Sequence, residues 1–223
     1  MAKHKLQHFA ENLTFPNMFQ LRFEELKQGF VHKGKWNEFF GNNNPIVLEL
    51  GCGKGEYTVN LAERYPGFNF IGVDVKGARM WKGCKASNVK GMKNVAFIRT
   101  HVQVIWEYFA SKEVSEIWIT FPDPQPQSAR AKKRLTASRF LDIYRKILKT
   151  NGILHLKTDN DGFFDFTLEV IKEGNHRLIF ETHDLYNSDG PEDAKAIQTF
   201  YEQKFLNDGK SICYTEFMLS EKD

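Results

Sequence analysis

Cysteine is scarce. The 223 residues hold three, Cys52, Cys84 and Cys213, an odd number at wide spacing. That argues against a disulfide framework and offers no paired ligand spacing, so no metal is expected and a reducing, cytoplasmic setting is. Long apolar runs are missing too: no stretch approaches the ~18 uncharged apolar residues of a membrane span. The opening residues, Met1 to His8, are basic with no apolar core behind them, which does not read as a secretory signal. Internal repeats and low-complexity tracts are absent. With 41% hydrophobic and 26% charged residues, neither wholesale disorder nor a membrane class fits.

Acids are scarce in two places. Lys76 to Lys93 holds six basic residues and no acid, and Ser128 to Thr150 holds eight with one acid, Asp142. The net charge is only +3, so the rest of the chain is strongly acidic. Two basic segments suggest a localised anionic partner, although solvated helix faces produce the same pattern. Phenylalanine is abundant, at 20 residues, and reads as core material.

Seven apolar runs punctuate the chain. Five are Ile46 to Leu50, Phe68 to Val73, Val95 to Arg99, Glu116 to Phe121 and Ile153 to Lys157. They are continuous rather than alternating, as in strands buried on both faces. Helix-length segments lie between them. One is predicted over Thr136 to Thr150, capped by Thr136 or Ser138 and closed by Asn151-Gly152; another covers Gly162 to Glu173. Leu178 to Thr182 and Ile212 to Leu219, separated by an acidic loop, read as a hairpin-type edge. The fold expected is α/β, a doubly wound, mostly parallel seven-stranded sheet with an antiparallel C-terminal edge strand. Residues 1–44 fall outside the pattern and are expected to form an arm or cap with one short helix near Phe19 to Gln28. The domain proper would then be 45–223.

The first strand runs into Glu49-Leu50-Gly51-Cys52-Gly53-Lys54-Gly55. A dinucleotide fingerprint needs glycine at position 56, which is Glu56. The acid before the glycines suits a ligand bearing a cationic amino group. The second strand ends at Asp74, 21 residues after Gly53, where a carboxylate can accept from both ribose hydroxyls. Together these features resemble the Rossmann-like class I S-adenosylmethionine-dependent methyltransferases. Further on, Ile117-Trp118-Ile119-Thr120 leads into Phe121-Pro122-Asp123-Pro124, with Arg130, Lys132, Lys133 and Arg134 close behind as candidate phosphate contacts.

Phe121-Pro122-Asp123-Pro124, Lys132-Lys133-Arg134-Leu135, Leu156-Lys157-Thr158-Asp159 and Thr199-Phe200-Tyr201-Glu202 together resemble the tRNA (guanine-N7-)-methyltransferase family over about residues 45 to 217. The resemblance implies S-adenosylmethionine as methyl donor and a guanine in the tRNA variable loop, guanine 46, as acceptor. By position it implies Glu49, Asp74, His101 and Asp123 at the donor site, with Asp123 catalytic; the Gly51, Gly53 and Gly55 turn joins them as the cofactor loop of the class I resemblance. Gln127, Asp159, Thr199, Phe200, Tyr201 and Glu202 would meet the guanosine. The chain departs from the family pattern at Gln125 (usually Trp), Gln127 (usually Lys), Ala129-Arg130 (usually Arg-His) and His101 (usually Asp). His101 suits either an adenine contact or a strand cap. Asp159 and Glu202 suit either guanosine or ion pairs with Lys157 or Lys204, and Thr199 with Glu202 also spells a capping box. His155, inside a strand, reads as core. A tRNA partner, acting on a monomer or weak homodimer, is the expectation. Another base, a small molecule, or a degenerate RNA-binding module are the competing readings.

Overall fold

Strand and helix alternate along residues 2–221, the part described by the computed structural model. The elements are α1 (Ala2–Asn12), β1 (Met18–Phe19), α2 (Phe23–Leu26), α3 (Trp36–Phe40), β2 (Ile46–Leu50), α4 (Glu56–Arg64), β3 (Asn69–Asp74), α5 (Gly77–Val89), β4 (Val95–Arg99) and β5 (Val114–Thr120). They continue with α6 (Ser138–Arg145), β6 (Leu148–Thr158), α7 (Asp161–Glu173), β7 (Arg177–Thr182), α8 (Glu192–Ala196), α9 (Phe200–Asn207) and β8 (Cys213–Met218). The sheet has eight strands in the order β1-β4-β3-β2-β5-β6-β8-β7. β8 alone of these runs antiparallel, and it does so to both its neighbours. The antiparallel strand is therefore inserted between β6 and β7, and β7 forms the edge instead.

Every residue of β2 is buried, as a central parallel strand with helices on both faces requires. Alternation along it splits the core. Leu48 and Leu50 pack with Ile117, Ile119, Phe140 and Phe163 on one face. Val47 packs with Tyr57, Phe70 and Phe97 on the other. The order reverses beside β2, which places the carboxyl ends of β2, β3 and β5 around one crevice.

The eighth strand comes from the N-terminal segment. Met18 and Phe19 pair in parallel with Phe97 and Ile98. Within the expected helical stretch Phe19 to Gln28, only Phe23–Leu26 is helical, and α1 and α3 are additional. These residues belong to the core: Trp36 is fully buried and donates its indole N–H to the Tyr108 carbonyl at 3.0 Å. Phe19, Phe30, Phe39 and Phe40 ring it. α1 docks on α5, with Asn12 donating to the Gly77 carbonyl at 2.8 Å and His8 stacked on Trp81 at 3.9 Å.

The helix predicted over Thr136 to Thr150 is shorter. Ala137 occupies its N-cap without a side-chain bond, and Thr136 instead bonds the Thr167 hydroxyl at 2.8 Å. It stops at Arg145 because Ile147 already accepts from the Val114 amide, and Leu148 pairs with Val114 in the sheet. Strand pairing overrides the helical periodicity there. Asn151, at φ 62°, and Gly152 turn the chain inside β6 rather than ending a helix.

Candidate active site

Strand-to-helix turns at the carboxyl end of a parallel sheet leave backbone N–H groups facing a crevice. In the turn between β2 and α4, Gly51, Gly53 and Gly55 all have positive φ (80°, 54° and 70°), which glycine adopts without a steric penalty. Gly55 has a second reason: a Cβ there would lie 2.6 Å from the Phe97 ring. The Gly51 and Cys52 amides donate to the Val73 carbonyl at 2.8 and 3.0 Å, fastening the loop to β3. Gly53 donates to Asp74 Oδ2 at 2.9 Å, and Asp74 Oδ1 accepts from the Lys76 amide at 2.7 Å.

Glu49 lies buried beneath this loop. Its Oε1 accepts from the Thr120 hydroxyl at 2.7 Å, and its Oε2 from the Thr58 amide at 2.9 Å and the Thr58 hydroxyl. Burial pushes its carboxyl up to about 7, with the threonine hydrogen bonds opposing the rise. Thr58 and Thr120 were not legible as site residues. Thr58 is the third residue of α4, where an amide without a helical partner is free to meet Glu49.

A cavity of about 450 Å³ opens over the loop, lined by Glu49, Gly51, Gly53, Asp74, Asp123 and Tyr201 among others. Gly55 is not part of that lining and serves as the N-cap of α4. Asp123 is exposed at the rim, one turn beyond β5. Phe121 and Gln125 on either side adopt φ of 47° and 46°, a costly conformation for side chains of that size. The Asp123 carboxylate accepts from the Gln125 amide at 3.1 Å, which fixes the turn. Arg134 donates to the carbonyls of Pro124 at 3.1 Å and Gln125 at 3.4 Å, and its guanidinium lies over Phe166. It thus clamps the Asp123 loop, while Arg130, Lys132 and Lys133 of the same segment stay exposed and Lys133 lines the cavity.

The opposite wall is the start of α9. Thr199 and Glu202 form the capping box, Thr199 Oγ1 accepting from the Glu202 amide at 3.2 Å and Glu202 Oε2 from the Thr199 amide at 3.3 Å. Phe200 is exposed, with Lys54 Nζ 4.4 Å over its ring and its amide bonded to Glu56 at 3.2 Å. Thr199 and Tyr201 line the cavity. Glu202 does not: it is fully buried, 2.6 Å from Lys157 Nζ, and accepts from the Tyr186 hydroxyl at 2.7 Å. Lys157 also donates to the carbonyls of Ala194 at 2.6 Å and Ile197 at 3.3 Å. The expected pairing with Lys157 is present, but in the interior rather than on the surface.

Gln127, Asp159 and His101 also lie outside that lining. Gln127 is exposed at the N-cap of a 3₁₀ turn, Ser128–Lys133. Asp159 pairs with Lys210 at 2.7 Å, a partner not expected. His101 lines an adjacent cavity of about 730 Å³ with Arg22, Phe23 and Arg99, and Val75 forms part of both walls. His155 is core as read, stacked on Trp118 at 3.9 Å. The first basic segment is less bare in space than in sequence. Lys82, Lys85 and Lys90 pair with Glu56, Glu11 and Glu63, whereas Lys76 and Arg79 line the cavity.

The family model described as "Putative methyltransferase" matches residues 43–215. A tRNA (guanine-N(7)-)-methyltransferase of Christiangramia forsetii is 50% identical over 98% of this chain and 99% of its own. One from Bacteroides fragilis is 50% identical over 100% of this chain and 88% of its own. The fold is similar to the solved 16S rRNA methyltransferase KamB, with a TM-score of 0.63 at 14% identity over 84% of this chain and 94% of that one. Over nearly its whole length, then, the chain belongs to the tRNA (guanine-N(7)-)-methyltransferase family.

Proposed function

We propose that this protein transfers a methyl group from S-adenosylmethionine to N7 of a guanine in tRNA, and more finely to the variable-loop guanine at position 46. The observation that carries the reading is a cavity that joins Glu49, Gly51 and Gly53 of the glycine loop, Asp74 and Asp123. The donor's chemistry fits this chain. A buried carboxylate beneath the loop suits an ammonium group. Asp74 uses its oxygens on two amides and keeps lone pairs for two ribose hydroxyls. His101 lines the neighbouring cavity, and its assignment to the adenine side rests on the Val75 wall that the two cavities share.

The donor supplies an electrophilic methyl group on a sulfonium. Guanine N7 presents an in-plane lone pair and carries no proton, so no general base is required. What this chain contributes is alignment, which supplies up to ~7–11 kcal/mol in well-oriented reactions. The Asp123 carboxylate, held by the Gln125 amide and the Arg134 clamp, accepts from guanine N–H groups and offsets the positive charge that develops on the base. Tyr201 and Phe200 offer aromatic faces at the rim, where stacking is worth about 1–3 kcal/mol per base. Arg130, Lys132 and Lys133 meet RNA phosphates. Gln127 and Asp159 belong to the approach surface, and Glu202 anchors the wall rather than touching guanosine.

Asp123→Asn keeps an acceptor for the Gln125 amide and removes the charge, and Asp123→Ala removes both. Turnover should fall at least ~10²-fold in each, while donor affinity measured by calorimetry changes little. Unchanged turnover in Asp123→Ala would overturn the assignment.

A further inference from the structure

The sequence holds no metal motif, yet the fold assembles one from residues 22 and 30 positions apart. Asp161 opens α7, His183 follows the last residue of β7, and Cys213 begins β8. Their donor atoms converge: Cys213 Sγ lies 3.2 Å from Asp161 Oδ1 and 3.8 Å from His183 Nδ1, and His183 Nδ1 lies 3.6 Å from Asp161 Oδ1. Zinc bonds of about 2.3 Å to sulfur and ~2.0–2.2 Å to nitrogen and oxygen have tetrahedral edges of roughly 3.3–3.6 Å. All three separations fall close to those edges without any rearrangement of the backbone.

We infer that Asp161, His183 and Cys213 form a binding site for a zinc-class divalent ion, with its fourth position open to water. The surroundings agree with a cation. On the far side of the imidazole, His183 Nε2 lies 3.7 Å from Asp165 Oδ1, the carboxylate-to-histidine arrangement that fixes the ring of a metal ligand. The Phe164 ring meets the same imidazole edge-on at 4.8 Å. The sulfur sits in the field of Asp159, Asp161 and Asp165, and the nearby ammonium of Lys210 is already bonded to Asp159. Thiolate, imidazole and carboxylate together select zinc over the harder magnesium or calcium. On binding, Cys213 releases its thiol proton to solvent and His183 binds as the neutral imidazole. The ion would tie the start of α7 to β7 and β8, two residues from Asp159. This site is independent of the methyl-transfer reading.

The test uses the full-length, untagged protein stripped with chelator, then titrated with Zn²⁺ alone by calorimetry and with Co²⁺ by absorption. One equivalent should bind, and Co²⁺ should give a thiolate-to-cobalt charge-transfer band. Asp165→Asn should weaken binding ~10–100-fold. His183→Ala, at an exposed position where folding is not at risk, should weaken it further, and Cys213→Ser should remove the band. Absence of stoichiometric binding, or binding that persists undiminished in His183→Ala, would overturn the inference.

Discussion

Replacing Glu202 separates two roles for one carboxylate. The structure buries it completely against Lys157, at 2.6 Å, with Tyr186 and the Thr199 amide completing its partners. Removing one member of such a pair strands the other: Glu202→Ala leaves the Lys157 ammonium inside the protein with two carbonyls and no counter-charge. The expected cost is about 3–5 kcal/mol, to which loss of half the capping box adds up to ~1 kcal/mol. At ~2–4 °C per kcal/mol for a chain of this size, Tm should fall by roughly 6–24 °C. Burial already pulls the Lys157 pKa down, so the stranded amine will tend to shed its proton, which favours the lower part of that range. The double variant Lys157→Met/Glu202→Leu removes both charges and should recover most of the loss. Calorimetry gives Tm, and steady-state kinetics give KM for tRNA and kcat. If Glu202→Ala kept the parent Tm while KM for tRNA rose, the carboxylate would be a guanosine ligand and the anchoring role would be refuted.

Glu49 should impose a pH dependence on donor binding. Its carboxyl is raised to about 7 in the fold, above an unfolded value near ~4.3. The native state therefore holds this proton more tightly, and the associated stability is present below the unfolded value and lost as pH rises through about 7. The carboxylate that attracts an ammonium group appears over the same interval. Calorimetric affinity for S-adenosylmethionine should therefore rise between about pH 6 and 8, by at most ~10-fold per unit below the pKa, and the rise should vanish in Glu49→Gln. The basic residues should divide by their contacts. The triple variant Arg130→Ala/Lys132→Ala/Lys133→Ala should flatten the slope of log K against log salt for tRNA by ~2–3, at ~0.7–0.9 per phosphate contact. Lys85→Ala/Lys90→Ala, whose ammoniums already face Glu11 and Glu63, should leave the slope unchanged.

The central strands were legible because parallel strands buried on both faces leave continuous apolar runs, and Ile46–Leu50 and Val95–Arg99 match theirs residue for residue. The two-residue β1 was not, since Met18-Phe19 has no run to announce it and is held by pairing with β4. Nor was the insertion of β8 between β6 and β7, which is a matter of pairing and not of any local pattern. That the glycine loop, Asp74 and Asp123 converge on one crevice was readable from spacing and strand context. For Glu202 the sequence leaves a guanosine contact, an ion pair with Lys157 and a capping box all open, because a motif gives a residue's place in the chain and not the side from which it is approached; as the third residue of α9 it turns inward and makes the latter two. Arg134 looked like a phosphate contact for the same reason, and its guanidinium is committed to the Asp123 loop. The basic segment at Lys76 to Lys93 is partly neutralised by acids from α1 and α4, which no count along the chain could reveal.

The most direct test of the central claim is to incubate the protein with methyl-labelled S-adenosylmethionine and an unmodified tRNA transcript, then map the labelled nucleoside. Label is expected as 7-methylguanosine at one variable-loop guanine and is expected to be absent from a transcript with adenine there. Label on another atom or another base, or no incorporation despite donor binding, would contradict that claim.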